Sequence, residues 1–112
     1  MDIGKDLVAA SSTPLILSIL ANGETYGYAI VKRVGELSGG TLRWTEGMLY
    51  PLLHRLERHG LTDGRWGEAE NGRKRKYYRI TREGRRQLTL QAKSWKVVDE
   101  TLHAIWLKTR MV

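Results

Sequence analysis

The side chains best suited to engage a partner fall into two sets. Glu46, Gly47, Tyr50, His54 and Arg58 recur at helical spacing, so a helix through this stretch carries them on one face. Its opposite face carries Leu49, Leu52, Leu53 and Leu56 at i, i+3, i+4 and i+7, a stripe fit for burial. A short helix with a dry back and a small, hydrogen-bonding front suits base edges in the major groove of DNA. The same pattern also fits an ordinary core helix. The second set is the unbroken run Arg73-Lys74-Arg75-Lys76, followed by Arg79, whose cations match phosphate oxygens. Catalysis has less to draw on. His54, His59 and His103 lack metal-ligand spacing, the carboxylates are scattered, and no glycine-rich phosphate loop follows a strand. There is no cysteine, hence no disulfide and no thiolate site. No enzyme, no metal and no cofactor is expected.

Bulk properties point the same way. A net charge of +7 over 112 residues favours a polyanionic partner, either nucleic acid or an anionic membrane surface. The longest apolar run, Pro14 to Leu20, is far below the roughly 20 residues needed to cross a bilayer. Asp2 and Asp6 argue against a signal peptide, so a cytoplasmic protein without a membrane partner is expected. The length predicts one compact domain.

The elements that would hold these two sets can be read in order. Asp2 to Ala10 is expected to be helical. Thr13 as cap and Pro14 at the first helical position would then open a second helix, the alternative being one longer helix bent at the proline. Leu15, Ile16, Ile19 and Leu20 form its buried stripe, and Asn22-Gly23 ends it. Thr25 is expected to cap the next helix, with Ile30, Val34 and Leu37 inward and Ser38-Gly39-Gly40 as its stop. Thr41 to Trp44 is expected to pair as a short strand. Thr45 then caps the helix of the first set, and Gly60 stops it. Pro51 removes one helical hydrogen bond and crowds the Gly47 carbonyl, so a local kink is expected. Two helices joined by a glycine-containing connection make a helix-turn-helix.

Beyond Gly60 the period changes. Leu61 to Glu68 and Lys74 to Thr81 read as two strands around the Asn71-Gly72 turn. Alternation puts Lys74, Lys76 and Tyr78 on one face and Arg75, Tyr77 and Arg79 on the other. A hairpin after a helix-turn-helix is a wing, whose basic tip can lie on phosphates or enter the minor groove. Alternatively its charge only protects a solvated edge. Thr81 caps a last helix running toward Lys108. Leu88, Ala92, Trp95, Val98, Leu102, Ile105 and Thr109 follow one another at gaps of 4, 3, 3, 4, 3 and 4, near the 3.5 average of a coiled-coil seam. A second copy of the same helix is the simplest cover for it, and folding back over its own domain is the alternative. The expected fold is mainly α with a small β-hairpin: a winged helix-turn-helix in residues 1–81 and a dimerisation helix in residues 82–112.

Three segments together resemble the PadR family of bacterial transcriptional regulators. They are Tyr26-Gly27-Tyr28-Ala29-Ile30, then Met48-Leu49-Tyr50-Pro51-Leu52-Leu53-His54-Arg55-Leu56-Glu57 with Gly60-Leu61, and Gly72-Arg73-Lys74-Arg75-Lys76-Tyr77-Tyr78-Arg79-Ile80-Thr81 with Gly84. The likeness runs from about Thr13 to Trp106. It implies a winged helix-turn-helix, a homodimer formed through the last helix with Leu88, Ala92, Trp95, Val98, Leu102 and Ile105 at the interface, and repression of an often palindromic operator. The DNA-contacting positions it implies are Tyr28, Thr45, Glu46, Gly47 and Tyr50 at the helices and Arg73, Lys74, Arg75 and Lys76 in the wing; His54, on the same helix face by spacing, is expected to join them. Glu46 departs from the pattern: it either accepts from a cytosine amino group or serves as a helix N-terminal charge.

The single final helix is similar to the shorter subfamily, and Trp95 with Asp99 resembles its multidrug-sensing members. There a tryptophan from each subunit lines a flat pore that stacks on planar ligands. An effector site at Trp95, Val98, Asp99 and Leu102 for a small aromatic or cationic compound is therefore expected. The other reading of Trp95 is plain packing in the dimer core, with Asp99 in solvent. Against the whole regulator reading stands a winged-helix module that binds RNA or a protein partner and senses no ligand.

Overall fold

In the computed structural model, which describes residues 1–110, the first helix α1 runs unbroken over Lys5–Ala21. The single longer helix is thus the one that forms, and Thr13 does not start a new one. Pro14 deprives the Ala10 carbonyl of its partner, but Ala10 is exposed and water can serve it. Burial of Ile16, Leu17 and Leu20 on the far side of the proline holds the helix together. Leu15 and Ile19, expected in the buried stripe, sit at its margin and are only partly buried.

The next helix is entered differently from the expectation. Thr25 is not its cap. Thr25–Tyr26 form a short strand β1 whose residues pair with Tyr78 and Tyr77, and Tyr26 precedes helix α2, Gly27–Leu37. The gain is a third strand on an otherwise two-stranded hairpin, which would be marginal alone. Ile30 and Val34 of α2 are buried, whereas Leu37 is exposed. The strand expected at Thr41 to Trp44 is absent. The Leu42 amide donates to Ser38 Oγ and the Thr41 amide to the Ser38 carbonyl, so this backbone is satisfied within its own turn. Trp44 then turns into the core.

Helix α3, Glu46–Arg58, starts where Thr45 Oγ1 accepts from the Met48 amide at 3.1 Å and stops before Gly60, which takes φ 74°. It continues through Pro51 because the carbonyl that loses its partner belongs to exposed Gly47. Strands β2, Thr62–Glu68, and β3, Lys74–Ile80, complete an antiparallel sheet in the order β1-β3-β2. The reversal at residues 69–73 is closed by the Ala69 amide donating to the Arg73 carbonyl, with Gly72 at φ 80°. One core joins Leu17 and Leu20 of α1, Ile30 of α2, Leu49 and Leu53 of α3, and Tyr78 of β3.

Helix α4, Arg82–Thr109, is capped by Thr81 Oγ1, which accepts from the Gly84 amide. Leu88 packs it onto the core beside α1, and its later turns leave the domain. The radius of gyration, 15.9 Å, exceeds the roughly 13 Å of a compact chain this long, and the longest extent is 56 Å. Val98 and Ile105 are 51% and 52% exposed on this projecting part. No helix among the described residues is long and apolar enough to cross a membrane.

Candidate nucleic-acid interface

The expected front face of α3 stands in the open. Glu46, Gly47, Tyr50, His54 and Arg58 are all exposed, while Leu49, Leu53 and Leu56 behind them are buried. Thr45, spent on its cap, is exposed at the same end. A cleft of about 510 Å³ opens between this face and the wing, and Tyr28, Glu46, Tyr50, His54, Arg73 and Lys74 border it. Residues far apart in sequence thus meet on one side of the molecule.

Tyr50 is held rather than loose. Its ring lies so close to Gly27 that a Cβ added there would come within 3.0 Å of the hydroxyl oxygen. Partial burial, helped by the nearby Glu46 carboxylate, raises the Tyr50 phenol above its ordinary value. At neutral pH it stays protonated, able both to donate and to accept.

The four cations of the wing divide by what they touch. Lys76 Nζ reaches Glu57 Oε1 of α3 at 2.9 Å, and the Gly64 amide donates to the other carboxylate oxygen. The Lys76 hydrogen bond holds the Glu57 carboxyl below the usual carboxylate range, and the same bond raises the Lys76 ammonium. Arg75 lies over the Tyr26 ring, 3.8 Å from its centroid, and Tyr26 meets Tyr77 edge-on. Arg73 and Lys74, at the tip, are exposed and form no ion pair among the described residues. Two cations therefore brace the wing and two are free. The free pair is the one a polyanion can take without breaking an internal contact. Pair geometry at this level is not legible in a run of four basic residues, although strand alternation already separates Lys76 from Arg75.

The seam residues of α4 also divide. Leu88, Ala92 and Trp95 line a cleft of about 230 Å³ against Pro14 and Leu15 of α1 in the same chain. Val98, Leu102 and Ile105 lie beyond it, exposed. Asp99 Oδ1 is 3.3 Å from His103 Nδ1, one turn on. Trp95 thus lies at the cleft against α1, and Val98, Asp99 and Leu102 follow it along the same helix, exposed.

A helix-turn-helix with a β-hairpin wing, an open hydrogen-bonding helix face and a basic wing tip define a winged-helix protein of the nucleic-acid-facing type. The PadR-like family of transcriptional regulators matches this chain over residues 16–90, and the chain belongs to that family. A PadR-like transcriptional regulator from Bacillus cereus has a similar structure, with a TM-score of 0.79 and 31% identity over 90% of this chain and 96% of that one. A transcriptional regulator from Clostridium thermocellum is similar with a TM-score of 0.80 and 29% identity, over 88% and 96% of the two chains. The transcriptional regulator Rv3488 of Mycobacterium tuberculosis is 40% identical over 74 residues, which are 66% of this chain and 65% of that protein. The family is one of transcriptional regulators and not of enzymes.

Proposed function

We propose that this chain is a homodimeric, sequence-specific DNA-binding regulator that represses transcription from its operator. The observation that carries the reading is the juxtaposition of the open α3 face with the free cations of the wing tip across one cleft. In the dimer two α3 helices enter successive major grooves, about 34 Å apart. Tyr50, with Glu46, Gly47 and His54 beside it, reads base edges, and Tyr28 and Thr45 face the backbone. Arg73 and Lys74 take phosphates, while Arg75 and Lys76 add field strength and brace the hairpin. The exposed Val98, Leu102 and Ile105 are covered by their equivalents from the second copy, continuing from Leu88, Ala92 and Trp95.

A small planar, aromatic or cationic effector between the two α4 helices modulates operator binding in this reading. Trp95 and its symmetry mate supply the stacking surfaces, Val98 and Leu102 the walls, and Asp99 the charge. Support comes from the half-buried state of Trp95 on a face where a plain coiled coil takes aliphatic residues.

The test combines solution mass with titration of duplex DNA from the chain's own upstream region and of a scrambled duplex, at two salt concentrations. A dimer that prefers the upstream duplex by about a thousandfold or more at the higher salt supports the regulator. A monomer, or equal binding that salt abolishes, defeats it and favours RNA or a protein as the partner. Titration of planar cationic dyes against a Trp95→Ala variant tests the effector site: undiminished binding by the variant removes the stacking role.

A further inference from the structure

Trp66 of β2 is one of the large apolar side chains that the fold leaves exposed. It pairs with Lys76 across the hairpin, and alternation puts it on the same face as Gly64 and its partner Tyr78. That face looks toward α3, since Tyr78 is buried there and Lys76 reaches Glu57. Trp66 lies beyond the end of this packing. It is 67% exposed and borders the cleft opposite Tyr50 and His54. Among the described residues it stacks on no aromatic ring and carries no cation over its face. A large apolar ring open to water on a wing brings no stability to the folded chain.

We propose that Trp66 is a DNA-contacting residue whose indole packs on the deoxyribose faces of the strand running between α3 and the wing. The inference rests on the DNA-binding reading above and deepens it. Deoxyribose is the apolar part of the backbone and is present at every nucleotide, so the contact adds affinity without reading sequence. The indole Nε1–H has a phosphate oxygen within the same backbone to donate to. Arg73 and Lys74 neutralise phosphates and release counterions, whereas an apolar contact releases none. The wing thus binds in two physically distinct ways, one sensitive to salt and the other not.

The experiment titrates the full chain and its variants with a labelled duplex of arbitrary sequence over a range of salt concentrations. Trp66→Ala should bind about tenfold more weakly at every salt concentration with an unchanged salt slope, and Trp66→Phe should recover most of the loss. Arg73→Ala should instead flatten the slope by about one unit. Tryptophan emission of the unsubstituted chain should respond to DNA, and that response should vanish in Trp66→Phe. Equal affinity of Trp66→Ala and the unsubstituted chain overturns the assignment. So does an early-melting Trp66→Ala when Trp66→Phe binds normally and its emission change persists, because the ring is then a structural strut. If the unsubstituted chain binds no duplex at all, the DNA-binding reading falls and this inference with it.

Discussion

Gly27 and Tyr50 show how a single missing side chain can place a functional one. Nothing about a glycine in a Tyr-Gly-Tyr run says which ring it accommodates, and only folding brings Tyr50 of α3 against α2. Gly27→Ala should push the Tyr50 ring outward by a few tenths of an ångström. Operator affinity is expected to fall a few-fold, binding to scrambled DNA to stay the same, and the melting temperature to move little. Competition titrations with both duplexes would show it, and a uniform loss on both would argue that Tyr50 does not read bases. Glu57 and Lys76 make a second residue-scale case. The folded Glu57 carboxyl is depressed, so its contribution to stability is complete above the ordinary carboxylate range and is lost as pH falls through the folded value. Lys76 is raised, so on the alkaline side the pair persists until above the ordinary lysine range. Glu57→Gln should therefore cost up to about 1 kcal/mol at neutral pH, a partly exposed pair being discounted for screening. The difference should shrink on acidification, as urea melts at several pH values would reveal.

At the scale of elements, the junctions between them decide the geometry. Helix α4 begins where buried Gly84 passes the Leu61 carbonyl so closely that a Cβ would collide with backbone. Because backbone cannot give way as a side chain can, Gly84→Ala should destabilise by about 1–3 kcal/mol and move the start of α4. Calorimetry would test this, and an unchanged melting temperature would contradict the packing. The helix boundaries at Thr45, Gly60 and Thr81 were legible because capping is a local matter of one hydroxyl or one left-handed residue. The first helix and the β1 strand were less so. Pro14 reads as a start signal locally, yet burial of Ile16, Leu17 and Leu20 outweighs one lost hydrogen bond on an exposed carbonyl. Thr25 reads as a cap, yet its neighbours across β3 make a strand of it.

For the whole molecule the decisive feature is that α4 leaves the domain with Val98, Leu102 and Ile105 uncovered. Leu102→Asp would place a charge in the proposed two-fold interface, where it has no partner. Its dimer dissociation constant should rise by about a hundredfold or more while the winged-helix part stays folded. Sedimentation velocity over a range of concentrations measures the first and circular dichroism the second. A monomer in both the parent and the variant would leave α4 without the role proposed for it. Two-fold symmetry also bears on specificity, since a palindromic operator needs both α3 helices at a set separation.

From the sequence alone came the periodic helices, the hairpin around Asn71-Gly72 and the basic run, because each depends on neighbours a few positions apart, and the family likeness, because it is a pattern of residue types in order along the chain. Tertiary structure alone decided which cations are free. Lys76 is drawn to Glu57 and Arg75 to Tyr26 by residues 19 and 49 positions away, leaving Arg73 and Lys74 at the tip. It likewise split the α4 seam, turning Leu88, Ala92 and Trp95 toward α1 and leaving Val98, Leu102 and Ile105 bare. The heptad spacing is the same along the whole seam, so periodicity cannot tell which of its residues meet the chain's own first helix. Only the length of α4 relative to the small domain beneath it settles that.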